Sequence, residues 1–290
     1  MAIELVTIYS PLVDEKFAAE SKKSLVTNQN YSWNGANAVK IYKISTAEMT
    51  NYTRNDGTSR FGTPKDLDAT TQECRLKNDR SFTFVIDKLD TNETGDALSA
   101  GTALERQLRE VVIPEVDTYT YKVMTEGAGF KPEALELTAE NIYEQIIIAS
   151  ELMDDALVPE NDRALIVTPA VYRLMKQCKE IVMETDIAQE MRVKGVIAMI
   201  DGTIVIKVPA SRLPEGFGFM MAHPCATVAP TKLEDFRSHT DPPGISGDLV
   251  EGRICYDAFV LSNKAEGIYY QSQPVAEATA LAEDDEMAEE

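Results

Sequence analysis

The chain has 290 residues, 44% of them hydrophobic, and a formal charge of -20 at pH 7. That length accommodates one large core or two modest ones. No apolar run reaches the roughly 20 residues that span a bilayer, and so acidic a body repels phosphate backbones, which disfavours an ordinary DNA- or RNA-binding role.

The charge is unevenly placed. Residues 1–80 hold 10 acidic and 11 basic side chains, residues 81–290 hold 38 and 17, and the last seventeen, PVAEATALAEDDEMAEE, hold seven acids and no base. Two readings follow: plain solubility, or a near-neutral N-terminal region that lies across the acidic bodies of neighbouring copies. The N-terminus shows no basic leader before an apolar stretch, so no secretory signal is expected. Cys74, Cys178, Cys225 and Cys255 are scattered, as reduced thiols of a cytosolic chain would be.

Residues 1–37 read as an arm. Ser10-Pro11 places a proline at the start of a short helix through Leu12 and Phe17. TNQNYSWNGAN, rich in Asn and Gly, reads as loop. Two strands then frame a long polar excursion. The first, near residues 39–45, alternates imperfectly, whereas SFTFVID alternates Phe82, Phe84 and Ile86 cleanly. Between them, residues 46–80 carry six acids and six bases. An insert that long is unusual inside a compact domain. It is either a surface loop or a β-hairpin arm that cannot bury both faces on its own protomer.

LERQLREVVIPEVDTYTYKVM, residues 104–124, places apolar side chains at Leu104, Leu108, Val112, Val116, Tyr119 and Val123, steps of three or four that line one helical face. Pro114 interrupts it, because it has no amide hydrogen and its ring crowds the carbonyl of Glu110. Either two helices abut at Ile113, or one helix from about residue 96 to 126 tolerates a kink. GAGFKPEAL then breaks the pattern, with Gly127 and Gly129 as a helix stop. Thr138 caps a further helix whose apolar side is Ile142, Ile146, Ile147, Ala149 and Met153. A βα unit follows: strand ALIV at 164–167, Thr168 as cap, Pro169 at the first helical position, and Val171, Leu174, Met175 and Cys178 on one face. VIAMI-DG-TIVIKV predicts a hairpin, since Asp201-Gly202 suits a two-residue turn with positive φ. Residues 217–222 make another apolar strand, and GRICYDAFVLSNKAEGIYY reads as two strands joined by a turn at 263–267. The mix is α+β without regular βαβ alternation.

Catalytic equipment is sparse. There is no GxxxxGK[ST], no GxGxxG and no GxSxG. His223-Pro224-Cys225 lacks the HxE element and second cysteine of zinc deaminases, so it reads as a strand end with a buried cysteine. Asp154-Asp155 point in different directions from a helix end. No catalytic, cofactor or metal residue is assigned, and no enzyme activity is expected.

Taken in order, these pieces resemble the major capsid protein of tailed bacteriophages, whose fold also occurs in encapsulin shells and the herpesvirus capsid floor. REVVIPEVDTYTYKVM, residues 109–124, is similar to the family's spine helix. RALIVTPAVYRLMK, residues 163–176, and IDGTIVIKVPASRLP, residues 200–214, are similar to its axial-domain strand, helix and hairpin. HPCATVAPTKLEDFR followed by GRICYDAFVLSNKAEGIYY is similar to the return to the peripheral sheet. The match covers roughly residues 1–270, and no long N-terminal scaffolding region is expected ahead of the arm.

The resemblance implies an α+β capsid fold divided as 1–37 N-terminal arm, 38–88 extended β-hairpin loop, 89–136 peripheral domain with spine helix, 137–225 axial domain, 226–270 peripheral sheet and 271–290 acidic tail. It implies self-assembly through pentamers and hexamers into an icosahedral shell around double-stranded DNA, without sequence-specific binding. A separate scaffolding, portal or decoration protein would be a further partner, with no membrane. The location would be the virion capsid, assembled in the host bacterial cytoplasm. An encapsulin-like nanocompartment shell is the alternative. Arg54, Arg60, Phe61, Lys65, Arg75 and Lys77 are the expected inter-subunit contacts, their cations meeting a neighbour's carboxylates. Some members crosslink a loop lysine to a neighbour's asparagine; Lys65 and Asn263 are counterparts by region only.

Overall fold

The computed structural model describes residues 21–28, 38–44, 46–54, 60–63, 66, 69–93, 99–178 and 196–274. The expected helix through Leu12 and Phe17, most of the Asn/Gly loop, Lys65, the first residues of the long helix and the acidic tail beyond residue 274 lie outside them. The elements in chain order are β1 (Ala38–Ile44), β2 (Ala69–Arg75), β3 (Asn78–Asp87), α1 (Lys88–Glu93), α2 (Ala100–Gln107), α3 (Ile113–Gly127), α4 (Ile142–Asp155), β4 (Ala164–Val167) and α5 (Pro169–Gln177). Then come β5 (Val196–Ile200), β6 (Thr203–Lys207), β7 (Phe217–Ala222), β8 (Thr227–Val228), β9 (Thr231–Thr240), β10 (Gly247–Tyr256), β11 (Phe259–Val260) and β12 (Ile268–Ser272). The class is α+β, as expected.

The hairpin arm differs from the sequence reading. β1 pairs with β2, Ala38 opposite Arg75 and Ile44 opposite Ala69, and not with the strand of Phe82 and Phe84. The excursion therefore contains the hairpin's second strand, and only residues 45–68 connect the two. β3 belongs elsewhere, pairing with β10 in a three-stranded antiparallel sheet of order β3-β10-β9. Alternation identified β3 because one of its faces is covered. ATTQECR in β2 is polar on both parities, so no periodicity marks it.

The long helix is continuous. Leu108–Val112 forms a π-turn between α2 and α3, with the Ile113 N–H reaching back five residues to the Leu108 carbonyl. This widened turn directly precedes Pro114 at the start of α3, where the proline ring would otherwise crowd the carbonyl one turn back. From Ala100 to Gly127 the rod is about 40 Å long at 1.5 Å per residue. Its buried face in α3 is Val116, Asp117, Thr120, Tyr121, Met124 and Thr125. Of the expected stripe, only Val116 is fully buried; Leu104, Leu108, Val112, Tyr119 and Val123 are half-buried. The middle of the rod lies on β10, where Val116 meets Ile254 and Tyr256. The C-terminal half lies on a five-stranded sheet through Tyr121 and Met124. One helix thus joins two sheets. Gly129, expected as a helix stop, serves a close approach: a Cβ there would sit 2.6 Å from the Ala265 backbone.

The five-stranded sheet has the order β12-β7-β4-β6-β5, with β4 parallel to β6 and the other neighbours antiparallel. β4 and β7 are buried along their whole length, which is why they read as unbroken apolar runs. One face carries α4 and α5 over Leu165, Val167, Phe219 and Met221. The other carries α3 over Ile166, Ile206 and Met220. Thr168 caps α5, accepting from the Val171 N–H at 3.2 Å, and Asp201-Gly202 make the β5–β6 turn with φ of 46° and 78°. Thr138 and Asn141 exchange side-chain-to-backbone bonds before α4. The α4 face differs at one position: Ile147 is exposed, whereas Ile142, Ile146, Ala149 and Met153 are buried. The GRICYDAFVLSNKAEGIYY segment also splits between sheets, since Ile268–Ser272 pairs with β7 rather than with β10. Cys225, just beyond β7, is half-buried and without a disulfide, and the His223 Nδ1 accepts its N–H at 3.2 Å.

Candidate assembly surfaces

The tip of the hairpin arm is organised but buries little. Thr53 N–H donates to the Arg60 carbonyl at 3.1 Å, and the Thr50 hydroxyl donates to the Phe61 carbonyl at 3.0 Å. Gly62 adopts φ of 84°, and a Cβ there would meet Thr50 Oγ1 at 2.7 Å. These contacts bring Arg54, Arg60 and Phe61 together. Phe61 is 85% exposed, Met49 100% and Tyr52 51%. The Phe61 and Tyr52 rings meet edge to face at 5.0 Å. An apolar cluster flanked by arginines therefore faces outward from its own chain. Met49 and Tyr52 were legible as apolar residues within a polar insert, but sequence reasoning did not single them out.

Arg75 and Lys77 lie at the other end, separated from the tip by the β1–β2 ladder, itself about 20 Å long at 3.3 Å per strand residue. Arg75 is exposed and pairs with Glu73 on its own strand at 2.7 Å. The Lys77 side chain is exposed, while its backbone N–H donates to Asp257 Oδ2 at 2.9 Å. The six expected contact residues thus divide into a tip group and a root group, with Lys65 outside the described residues.

The root is the firmest part of the arm. Asp257 is buried and accepts three hydrogen bonds, from the N–H groups of Lys77 and Ala258 and from the Tyr119 hydroxyl at 2.7 Å. Both carboxylate oxygens are used, which is what makes a buried acid tolerable. Burial first, and the Asp257 acceptor second, push the Tyr119 hydroxyl above its ordinary pKa. Burial also raises the Cys74 thiol, with the Asp257 charge adding to it. Gln72 donates to the Val260 carbonyl at 3.1 Å and accepts from the Ser262 N–H and hydroxyl. A network beside this root links β3, α3 and β10. Arg80 pairs with Glu115 at 2.8 Å, and Glu115 accepts from the Tyr256 hydroxyl. Burial, followed by the Glu115 charge, pushes Tyr256 up to about 12.

Residues 21–28 form a strap over the junction of α3 and the five-stranded sheet. Val26 is buried in the sheet's core, and the Asn28 N–H donates to the Thr227 carbonyl at 2.7 Å. Ser21 donates to Asp117 Oδ1 at 2.7 Å, and Arg212 Nη1 donates to Asp117 Oδ2 at 2.9 Å, both charged partners being buried. Burial raises the Asp117 pKa, and the Ser21, Arg212 and Lys23 interactions oppose the shift without cancelling it. Asp154 at the end of α4 also has a structural partner, Arg163 at 2.6 Å.

No group of three or more His, Cys, Asp or Glu residues among the described residues is placed to hold a metal ion. Among the same residues, no helix is long and apolar enough to cross a membrane.

No protein-family model matches the sequence, and no curated protein sequence matches it. Solved structures do. A structure from Mycobacterium phage Che8 superposes with a TM-score of 0.70 at 16% identity, over 92% of this chain and 96% of that one. The capsid structure of cyanophage P-SCSP1u gives 0.72 at 11% identity, over 93% of each chain. A virus-like particle from Pyrococcus furiosus gives 0.54 at 11% identity, over 87% of this chain and 92% of that one. At such identities the likeness establishes the fold.

Proposed function

We propose that this chain is the major capsid protein of a tailed double-stranded DNA bacteriophage, a structural subunit and not an enzyme. The carrying observation is the match to phage structures, a cyanophage capsid among them, over more than nine-tenths of both chains. Similarity confined to one sheet would support a shared domain only. In this reading β1–β2 is the extended loop and the Ala100–Gly127 rod is the spine helix. The three-stranded sheet is the core of the peripheral domain, and the five-stranded sheet is the core of the axial domain. Residues 1–37 are the N-terminal arm. Arg54, Arg60, Phe61, Lys65, Arg75 and Lys77 meet a neighbouring copy within pentamers and hexamers of an icosahedral shell.

The physical chemistry supports the reading. A net charge of -20 per subunit encloses DNA without binding it down, where a basic lining would arrest packaging. The exposed Met49, Tyr52 and Phe61 gain little burial on their own protomer, and they suit a surface covered by a neighbour. Assembly in the host cytoplasm, with a separate scaffolding, portal or decoration protein, belongs to the same proposal.

The similarity to the Pyrococcus furiosus virus-like particle supports a second reading, a nanocompartment that encloses protein. Its TM-score of 0.54 against 0.70 and 0.72 places it behind the phage reading. Electron microscopy of particles purified from producing cells, with nuclease-protected DNA measured alongside, separates them. Closed shells containing protected double-stranded DNA are expected. Shells containing protein and no DNA would favour the nanocompartment, and the absence of shells would sink both.

A further inference from the structure

Acidic side chains gather at one end of the five-stranded sheet, and a small lysine patch lies toward the other. β4 and β6 run parallel, with Ala164 beside Ile204 and Val167 beside Lys207. The loop before β4 and the Asp201-Gly202 turn before β6 therefore share one end, and Lys207 marks the other. At the first end, α4 and the β5–β6 turn enclose a groove of about 310 Å³, with Ile146 and Ile200 in its floor and Glu151, Asp154, Asp155 and Asp201 around it. Exposed Ile147 lies on the same wall.

Leu157 follows the end of α4, two residues beyond Asp155 of the groove wall. It is 90% exposed and adopts φ of 57°. The Leu157 N–H donates to the Asp154 carbonyl and the Val158 N–H to the Met153 carbonyl, a helix-ending motif whose left-handed residue is usually glycine. Leucine at this position is strained by its Cβ and gains no burial from its own chain. Two costs to the isolated subunit coincide at one residue, and both point to a use outside it.

The opposite end offers the matching chemistry. Tyr172 on α5 lies beneath two ammonium groups, with Lys176 Nζ and Lys207 Nζ each 5.6 Å from its ring centroid. Exposed Arg173 adjoins them. Several exposed cations elsewhere among the described residues are already paired within the chain: Arg237 with Asp235, Arg253 with Asp79, and Lys122 with Glu126. From this juxtaposition we infer that the acidic end of one copy, anchored by Leu157, docks on the Tyr172–Lys176–Lys207 patch of the next copy. Such a contact is head to tail, and a head-to-tail contact whose rotation closes makes a ring. The inference rests on the capsid reading and specifies a contact within its capsomers.

The test uses the full chain and measures both thermal unfolding and the concentration dependence of association, by light scattering. Leu157→Gly relieves the backbone strain, so the subunit should melt higher while associating at least about tenfold more weakly, a loss of one decade in affinity. Lys176→Glu should weaken association similarly, and adding Asp155→Lys to it should restore it. Asp155→Lys combined with Lys122→Glu, which has the same net charge, should not. A wild-type chain that stays monomeric overturns the capsid reading and this contact together. A wild-type chain that associates, with Leu157→Gly unaffected or the Asp155–Lys176 exchange no better than the control, overturns this contact alone.

Discussion

The hairpin arm and the five-stranded unit belong to one chain but obey different rules. In the unit, Leu165, Ile166, Phe219, Met220 and Ile206 are almost wholly enclosed by the protomer's own helices. In the arm, Met49, Tyr52 and Phe61 are open to solvent, and order comes from polar anchors at the root. The first region is finished when the subunit folds. In the proposed capsid reading, the second is finished only when a neighbouring copy covers it.

The largest expected effect separates these rules most sharply. Phe219→Ala, in the middle of the five-stranded sheet, should cost about 3–5 kcal/mol of stability through lost burial and the cavity left behind. Phe61→Ala, an equal truncation at the tip, should change stability by less than about 0.5 kcal/mol. Chemical denaturation of both variants makes the comparison, and equal losses would show that the tip folds back on its own body.

The buried pair beneath the strap comes next. Arg212→Ala leaves the Asp117 carboxylate without its cation and should cost about 3–5 kcal/mol near neutral pH. The sign of its pH dependence follows from the raised Asp117 pKa. A carboxyl that holds its proton more tightly when folded favours the folded state at low pH, and that advantage is lost as pH rises through the folded pKa. Without Arg212 the pKa rises further. The stability gap between wild type and variant should therefore narrow as the solution is acidified. Denaturant melts from about pH 8 down to about pH 4, near the ordinary aspartate range, provide the check, and a gap independent of pH would contradict it.

These two regions also differ in how far the sequence revealed them. The β4–α5 unit could be read because Thr168-Pro169 starts a helix and ALIV is an apolar run. The Asp201-Gly202 hairpin could be read because its turn requires positive φ. Each signal is local, and each is enforced by burial. β2 could not be read, since ATTQECR is held by its pairing with β1 and by Gln72 reaching residues 260 and 262. Asp117 with Arg212, and Asp257 with Lys77 and Tyr119, were equally hidden. Hydrophobic periodicity treats an acid as a surface residue, and the partners lie 95 to 180 positions away. Pro114 was half legible: the apolar face suggested continuity, but the π-turn that accommodates the ring leaves no sequence signature. Among the contact candidates, charge marked Arg54 and Arg60, but nothing in the sequence separated them from Arg75 and Lys77 at the root.

Removing the tip sharpens the comparison from the other side. Replacing residues 46–66 by a short turn should leave a soluble subunit whose melting transition is nearly unchanged, because no described core residue lies in that span. Closed shells should disappear. Electron microscopy scores the outcome, and intact shells from the shortened chain would show that the arm is dispensable.

The smallest effects are electrostatic. Arg60→Glu should slow assembly only modestly, since an exposed pair contributes about 0–1 kcal/mol. Salt acts in two directions, weakening arm-to-body attraction while screening repulsion between bodies with a Debye length of about 10 Å at 0.1 M. With -20 charges on each subunit, repulsion outweighs attraction, so moderate salt should speed assembly. Light scattering across a salt series tests this. Fastest assembly at the lowest salt would reverse the assignment.

The central claim, that this chain is a subunit completed by copies of itself, is tested most directly by the mass of the purified protein in solution. Size-exclusion chromatography with light scattering should find capsomers and closed shells many times heavier than the 32.1 kDa chain, in proportions that shift with concentration and salt. A single species of 32.1 kDa at every concentration and salt condition would contradict the account.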